Sequence, residues 1–314
     1  MVKILVFDTE TTDKPPYLPG AQWAERQSFD KSLLTQSGLE TSWVSMKDKW
    51  PSIIQLSYIL YDTDYPESAK IFNKYIDIPD NIVISEGSFK IHHITREKIA
   101  SAPSENRATI EDTLNEFLQD VKISEVVVGH NVQFDRKMVV SELLRLSEQS
   151  NLPEIQLMMD DSKFECTMEK TIQICKLQQK IDYTDKITGK PKFFYKLKNP
   201  KLLESYKHFF GYEPAGEALH DALVDVVVCL RIYCKCCLEK YSLEPFDICG
   251  TNSIITDYIV AISPKGYTCP GLEIQEKQTI TGGSRRPKKV KKIKKFKSKK
   301  TITKIRKSKK RRTY

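Results

Sequence analysis

The sequence predicts an α/β protein, and three observations carry that prediction. A short apolar run at the start, Lys3–Phe7, ends abruptly in Asp8-Thr9-Glu10, which suits a central strand buried on both faces. Two β-prone runs, Ile53–Asp62 and Lys70–Ile76, follow one another across a turn near Asp64–Glu67. From residue 91 onward, stretches of helical period alternate with short apolar runs, as expected of helices layered on a sheet.

Residues 13–50 hold Pro15, Pro16, Pro19, Gly20 and the three tryptophans with no clean period, so they read as a long insertion or lid with a short helix near Trp23–Leu34. Ile91–Ala100 and Arg107–Val121 read as helices separated by Pro103. Glu125–Val128 reads as a short strand. Val132–Ser147 reads as an amphipathic helix whose apolar stripe runs through Phe134, Met138, Val139, Leu143 and Leu146. Phe164–Thr167 is strand-like and precedes a helix near Met168–Leu177. Ile181–Lys198 carries Thr188-Gly189-Lys190 between β-prone ends, the pattern of an exposed hairpin. Lys201–Phe210 is a helix stopped by Gly211, and Ala222–Lys240 a long apolar helix. Residues 246–282 are weakly patterned and read as a wrap around the domain or a linker. No internal repeat is present.

The 314 residues suffice for one substantial domain with extensions, or two small ones. No run approaches the ~20 apolar residues of a membrane span, and Met1–Glu10 does not read as a secretory signal. Both predict an intracellular protein of cytoplasm or nucleus, with no membrane association. In that compartment the eight cysteines are expected as reduced thiols. Cys234 and Cys237 form a C-x-x-C, but no second pair and no nearby histidine complete a tetrahedral zinc set, so Cys229 to Cys237 read as small core residues of one apolar helix. The net charge of +9 conceals a split. Residues 283–314 contain 18 of the 50 basic residues and no acid, leaving 32 basic against 41 acidic residues before them, a net of −9.

Three segments carry the chemistry. Asp8 and Glu10, two apart on a strand, point to one face. Paired carboxylates at the end of a buried strand are costly unless a cation lies between them, and a hard divalent ion is the natural resident. Taken alone, the pair reads better as a solvated strand end, with Glu10 facing water. In Gly129-His130-Asn131-Val132-Gln133-Phe134-Asp135, Asp135 falls in the first turn of a helix, where the dipole favours a carboxylate, and Asn131 could cap it. In His220-Asp221-Ala222-Leu223-Val224-Asp225, Asp221 suits a helix cap, while His220 and Asp225 can lean over one cleft.

Together, and in this order, the three segments resemble the motifs of the DEDDh exonucleases, also called DnaQ-like or RNase T-like. Phe7-Asp8-Thr9-Glu10-Thr11-Thr12 is similar to the first motif, His130 to Phe134-Asp135 to the second, and His220 to Asp225 to the third. Ile53-Ile54-Gln55-Leu56 resembles the second strand of that family, and His92-His93-Ile94-Thr95 its HGIT segment, with His93 in place of glycine. The resemblance spans about residues 3–240. It departs at Asp13-Lys14-Pro15-Pro16, where the family has Gly-Leu, and in the long insertion that follows.

The resemblance implies a ribonuclease H-like fold with a mixed five-stranded central sheet flanked by helices. It implies an exonuclease domain over 1–245 with 13–50 as insertion, an extension over 246–282, and a tail over 283–314. The implied activity is 3′→5′ hydrolysis of nucleic acid by a two-metal mechanism, releasing nucleoside 5′-monophosphates. Asp8 would bridge two Mg2+ (or Mn2+) ions; Glu10 and Asp225 would complete the site of the ion holding the attacking water. Asp135 would support the second ion, and His220 would serve as general base. Thr11, Thr12 and Asn131 would meet the terminal nucleotide. The long insertion and lysine-rich end are similar to versions of this family in large DNA viruses.

The tail, with Arg285, Arg286, Lys288, Lys289, Lys291 and Lys292 at its start, carries too much like charge to pack and is expected to be disordered. It reads as an arm that grips phosphates, with a nuclear-import signal as the other reading. DNA is favoured as substrate. An exoribonuclease of the same family is the alternative, as is a non-catalytic polymerase accessory or nucleic-acid-binding subunit. A polymerase or other replication protein is a candidate partner.

Overall fold

The computed structural model describes residues 2–15, 34–35, 38–39, 47–147, 150–214 and 221–269. Six strands form the main sheet: β1 (Lys3–Thr11), β2 (Ile53–Asp62), β3 (Lys70–Ile76), β4 (Arg107–Ala108), β5 (Val126–Gly129) and β6 (Phe164–Cys166). Their spatial order is β4-β3-β2-β1-β5-β6. β1 pairs antiparallel with β2, and β2 with β3, while β1–β5, β5–β6 and β3–β4 are parallel. The five expected strands are present, and β4 adds a two-residue sixth at one edge. Arg107, read as the start of a helix, belongs to that strand: its guanidinium reaches Asp77 beside β3 at 2.7 Å, and Thr109 caps the helix two residues later by accepting from Asp112 N.

The helices are α1 (Glu86–His92), α2 (Arg96–Ser101), α3 (Ile110–Ile123), α4 (Val132–Leu146), α5 (Leu152–Met159), α6 (Thr167–Cys175), α7 (Leu202–Phe210), α8 (Ala222–Cys236) and α9 (Ser253–Ala261). The helix expected over Ile91–Ala100 is two. His93 turns left-handed at φ 54° to end α1, and Thr95 caps α2 by accepting from Lys98 N. Among the described residues, no helix is long and apolar enough to cross a membrane.

Strand alternation divides β1 between two cores. Leu5 and Phe7 pack with Leu114, Phe117 and Val121 of α3 and Val139 and Leu143 of α4. Ile4 and Val6 pack with Leu223, Val226, Val227 and Leu230 of α8 on the other face. The extension after residue 245 contributes to this second core through Ile248, Ile255 and Ile259. It also carries a Cys249–Cys269 disulfide with Cα atoms 5.6 Å apart, where free thiols were expected. The two cysteines are 20 residues apart, with α9 between them, and the fold-back after α9 brings them within bridging distance. Cys234 is fully buried in this second core, as expected of a small residue on an apolar helix.

The expected hairpin is present as β7 (Gln178–Thr184) and β8 (Pro191–Leu197), paired antiparallel and separate from the main sheet. Most of the 13–50 insertion, with its expected helix, lies outside the described residues, as does the 283–314 tail.

Candidate active site

The end of β1 is where the apolar strand becomes polar. Asp8 and Glu10 continue the series Ile4, Val6 and so face α8, while Thr9 continues Leu5, Phe7 and faces α4. The carboxyl end of β1 lies beside that of parallel β5, the edge where open α/β sheets bind ligands. From there α4 departs through a tight turn. A Cβ on Gly129 would lie 3.0 Å from Val132 Cγ2, so a side chain there would have to displace Val132 at the start of α4.

α8 begins at Asp221, which caps it by accepting from Leu223 N at 3.0 Å. Asp225 follows one turn later and faces the sheet end. Oxygen atoms of Asp8, Glu10 and Asp225 lie within 4.8 Å of one another. From the opposite layer, Asp135 in the first turn of α4 reaches Thr9. One oxygen, Oδ1, accepts both the Thr9 backbone N–H at 3.0 Å and the Thr9 hydroxyl at 2.7 Å. That leaves Oδ2 as the oxygen Thr9 does not use.

The electrostatics of this cluster are unfavourable without a cation. Burial pushes the Asp8 carboxyl far above its ordinary value, and the charges of Asp135, Glu10 and Asp225 push it further. Burial and then Asp225 and Asp135 raise Glu10 to about 9, with Lys98 opposing them. Asp225 is raised to about 7 by burial and by Asp221. Asp135 is raised to about 7 by burial, against the two Thr9 hydrogen bonds. Among the described residues, no lysine or arginine forms an ion pair with any of the four. An all-oxygen donor set whose members raise one another's proton affinity suits a hard divalent cation. Among the described residues, Asp8, Glu10 and Asp225 form the one group of His, Cys, Asp and Glu spaced to hold one.

The other expected site residues fall as follows. Thr11 and Thr12 are buried, and their hydroxyls are engaged within the chain: Thr11 Oγ1 donates to Asp13 O at 2.8 Å, and Thr12 Oγ1 accepts from Ser52 N at 2.9 Å. Asn131 precedes α4 in a left-handed conformation, φ 68°, exposed and with no capping bond from its side chain, so its expected capping role is not what holds it there. His220 and Arg285, Arg286, Lys288, Lys289, Lys291 and Lys292 lie outside the described residues.

Several supporting residues escaped the sequence reading. Gln55, directly opposite Glu10 in the β1–β2 ladder, is buried and donates to Asn73 at 2.9 Å and to the capping Asp221 at 3.2 Å. Its position in register with Glu10 was the available signal. His92 lies against the Thr11 carbonyl through Nε2 at 3.2 Å, and its Nδ1 accepts from Ile94 N at 2.9 Å, so Nε2 carries the proton. His130 is likewise structural: it bridges Thr167 Oγ1 and the Pro200 carbonyl, and burial lowers it to about 4, keeping it neutral. Glu142 accepts from Ile53 N at 2.9 Å, and Arg145 donates to the carbonyls of Lys47, Trp50 and Pro51, fixing the end of the insertion where it re-enters β2.

The frame of the site is thus a mixed α/β sheet with carboxylates gathered at the end of its first strand. The sequence profile of the RNase T exonuclease family matches residues 5–233, and the chain belongs to that family. Among solved structures, Escherichia coli exonuclease I in complex with a dA16 oligonucleotide aligns at 13% identity and a TM-score of 0.45, over 77% of this chain and 42% of that one. The nuclease domain of 3′hExo, a DEDDh family member bound to rAMP, aligns at 14% identity and 0.43, over 78% and 95%. Cell-death related nuclease 4 aligns at 16% and 0.38, over 73% and 62%. A sequence comparison with curated proteins yields no match.

Proposed function

We propose that the protein is a divalent-metal-dependent 3′→5′ exonuclease, acting on DNA in preference to RNA and releasing nucleoside 5′-monophosphates. The observation that carries this reading is the convergence of Asp8, Glu10 and Asp225, with ligand oxygens within 4.8 Å of one another, beside an Asp135 close enough to raise the proton affinity of Asp8 and Glu10. In this reading Asp8, Glu10, Asp135 and Asp225 would hold two Mg2+ (or Mn2+) ions, Asp135 through the oxygen that Thr9 does not use. Bound there, the ions supply Lewis-acid stabilisation of the scissile phosphate and a more acidic water.

The chain's own residues do the rest. Thr9 aims Asp135, Asp221 starts the helix that carries Asp225, and His92 holds the Thr11 carbonyl. His220 accepts the proton of the attacking water, a role an imidazole suits near neutral pH. Asn131 offers its exposed side chain to the terminal nucleotide, and Thr11 and Thr12, bonded within the chain, form the wall beside it. In this reading residues 1–245 are the catalytic domain, with 13–50 an insertion at the substrate mouth and 246–282 an extension of it. Residues 283–314 form a phosphate-gripping arm through Arg285, Arg286, Lys288, Lys289, Lys291 and Lys292.

The test is a digest of 3′- and 5′-end-labelled single-stranded DNA, duplex DNA and RNA, with Mg2+, Mn2+ or EDTA. The expected result is mononucleotide release from the 3′ end, fastest on DNA and abolished by EDTA. Activity in EDTA would overturn the reading, as would release from the 5′ end. Inertness with both metals would favour a binding subunit.

A further inference from the structure

Outside the carboxylate site, the most unusual surface is the β7–β8 ribbon. Every residue of β8 is exposed, including Phe193, Phe194 and Tyr195 in succession, and Tyr183 of β7 is 44% exposed. Neither strand pairs with the main sheet. A bare two-stranded ribbon gains little from displaying four rings to water. The register sorts them by face. Phe193 and Tyr195 share one side, edge to face at 5.9 Å, with Lys180 4.6 Å over the Phe193 ring. Phe194 and Tyr183 share the other, also at 5.9 Å, on the side of Lys192 and Lys196.

The charge of the ribbon runs against that of the body. Residues 178–198 carry six lysines and two aspartates, a net of +4, in a region of the chain (residues 1–282) whose net is −9. Both aspartates are already paired, Asp182 with Lys180 and Asp185 with Lys192. Lys186, Lys190 and Lys196 form no ion pair among the described residues. The ribbon is also tied to the catalytic edge of the sheet. Lys198 N donates to Leu177 O at 3.0 Å, closing its base. Two residues on, the Pro200 carbonyl meets His130, the residue before Asn131 and the turn that launches Asp135.

We propose that the β7–β8 ribbon is a stacking platform for single-stranded nucleic acid, holding the bases that trail 5′ of the nucleotide at the carboxylate site. Exposed rings interleaved with unpaired lysines bind unpaired bases by their π-faces and the backbone by its charge, with little sequence preference. The proposal rests on the exonuclease reading for the polarity of the bound strand. The binding surface itself does not depend on catalysis.

The experiment measures anisotropy of a fluorescein-labelled long oligothymidylate, and separately a long oligouridylate, with the full-length protein in Ca2+. Hydrolysis of the p-nitrophenyl ester of thymidine 5′-monophosphate is followed in parallel with Mn2+. The double variants Phe193→Ala/Tyr195→Ala and Tyr183→Ala/Phe194→Ala are compared with the wild type and with Phe193→Leu/Tyr195→Leu and Phe193→Trp/Tyr195→Trp. At least one alanine pair is expected to weaken oligonucleotide binding by roughly 10-fold or more. The tryptophan pair keeps binding, the leucine pair does not restore it, and small-ester hydrolysis is unchanged throughout. Wild-type affinity in both alanine pairs overturns the proposal and points to a protein as the ribbon's occupant. Full affinity in the leucine pair overturns stacking. Equal losses on both oligomers assign a platform for either polymer, and a loss on one alone restricts it to DNA or to RNA. A wild type inert toward the ester but with ring-dependent binding would sink the exonuclease reading and leave the platform standing.

Discussion

Helix α8 carries two buried charge clusters, and they are built on opposite principles. Six residues beyond Asp225, the Arg231 guanidinium is 1% exposed and fully answered. It grips Asp247 with two bonds, 2.8 and 2.6 Å, donates to the hydroxyls of Tyr212, Tyr267 and Tyr206, and stacks 4.0 Å from the Phe210 ring. Although burial alone would raise Asp247, the Arg231 partner holds it below its ordinary value. At the start of the same helix, Asp225 joins three other carboxylates, and every one is pushed up. A compensated cluster ties the C-terminal extension to the domain. An uncompensated one, maintained at a cost to stability, marks a place shaped for a ligand that is not part of the chain.

Substitution separates the two. The largest effect is expected from Asp8→Asn: exonuclease activity falls below detection in the end-labelled digest. The thermal midpoint in EDTA stays level or rises, because a repelling charge is gone. Next, His220→Ala lowers turnover by roughly 10²–10⁴, and its residual rate climbs with pH as hydroxide replaces the missing base. Arg231→Ala behaves in the reverse way. It strands Asp247 and is expected to cost about 3–5 kcal/mol in urea unfolding, while the specific activity of the folded fraction persists. If Arg231→Ala abolished catalysis without loss of stability, or Asp8→Asn unfolded the protein, the contrast between the clusters would fail.

The smallest effect tests backbone rather than charge. His93 is exposed and left-handed, φ 54°, where the related motif has glycine. His93→Gly should stabilise the fold by about 1 kcal/mol, read as a small rise in the unfolding midpoint with no change in activity.

The carboxylate frame was legible because it is local. Asp8 and Glu10 sit at fixed alternation on one strand, and Asp135 and Asp225 each sit within a turn of a recognisable helix start. The hairpin was legible from Gly189 and its β-prone flanks. What escaped was set by contacts distant in sequence. Thr9 holding Asp135, Gln55 reaching Asp221, and Arg145 clasping the carbonyls of Lys47, Trp50 and Pro51 link residues 94 to 166 positions apart. The Cys249–Cys269 bridge and α9 were hidden because residues 246–269 bury few apolar positions per turn and lean on α8 for their core. The edge strand β4 is two residues long, too short to show any period.

In the proposed reading, the mutual repulsion of Asp8, Glu10, Asp135 and Asp225 is relieved by protons in acid and by a divalent cation above it. Carboxyls held above their ordinary values keep protons that the unfolded chain releases above about pH 4. Metal-free stability due to them is therefore greatest in acid and is lost as pH rises through about 7, for Asp135 and Asp225, and about 9, for Glu10. The direct measurement is the melting temperature of wild type and Asp8→Asn/Asp225→Asn as a function of pH, in EDTA and in Mn2+. The wild type should lose stability toward alkaline pH in EDTA more steeply than the variant, and Mn2+ should restore it in the wild type alone. A wild-type midpoint indifferent to Mn2+ at alkaline pH, with the same pH slope as the variant, would contradict the account.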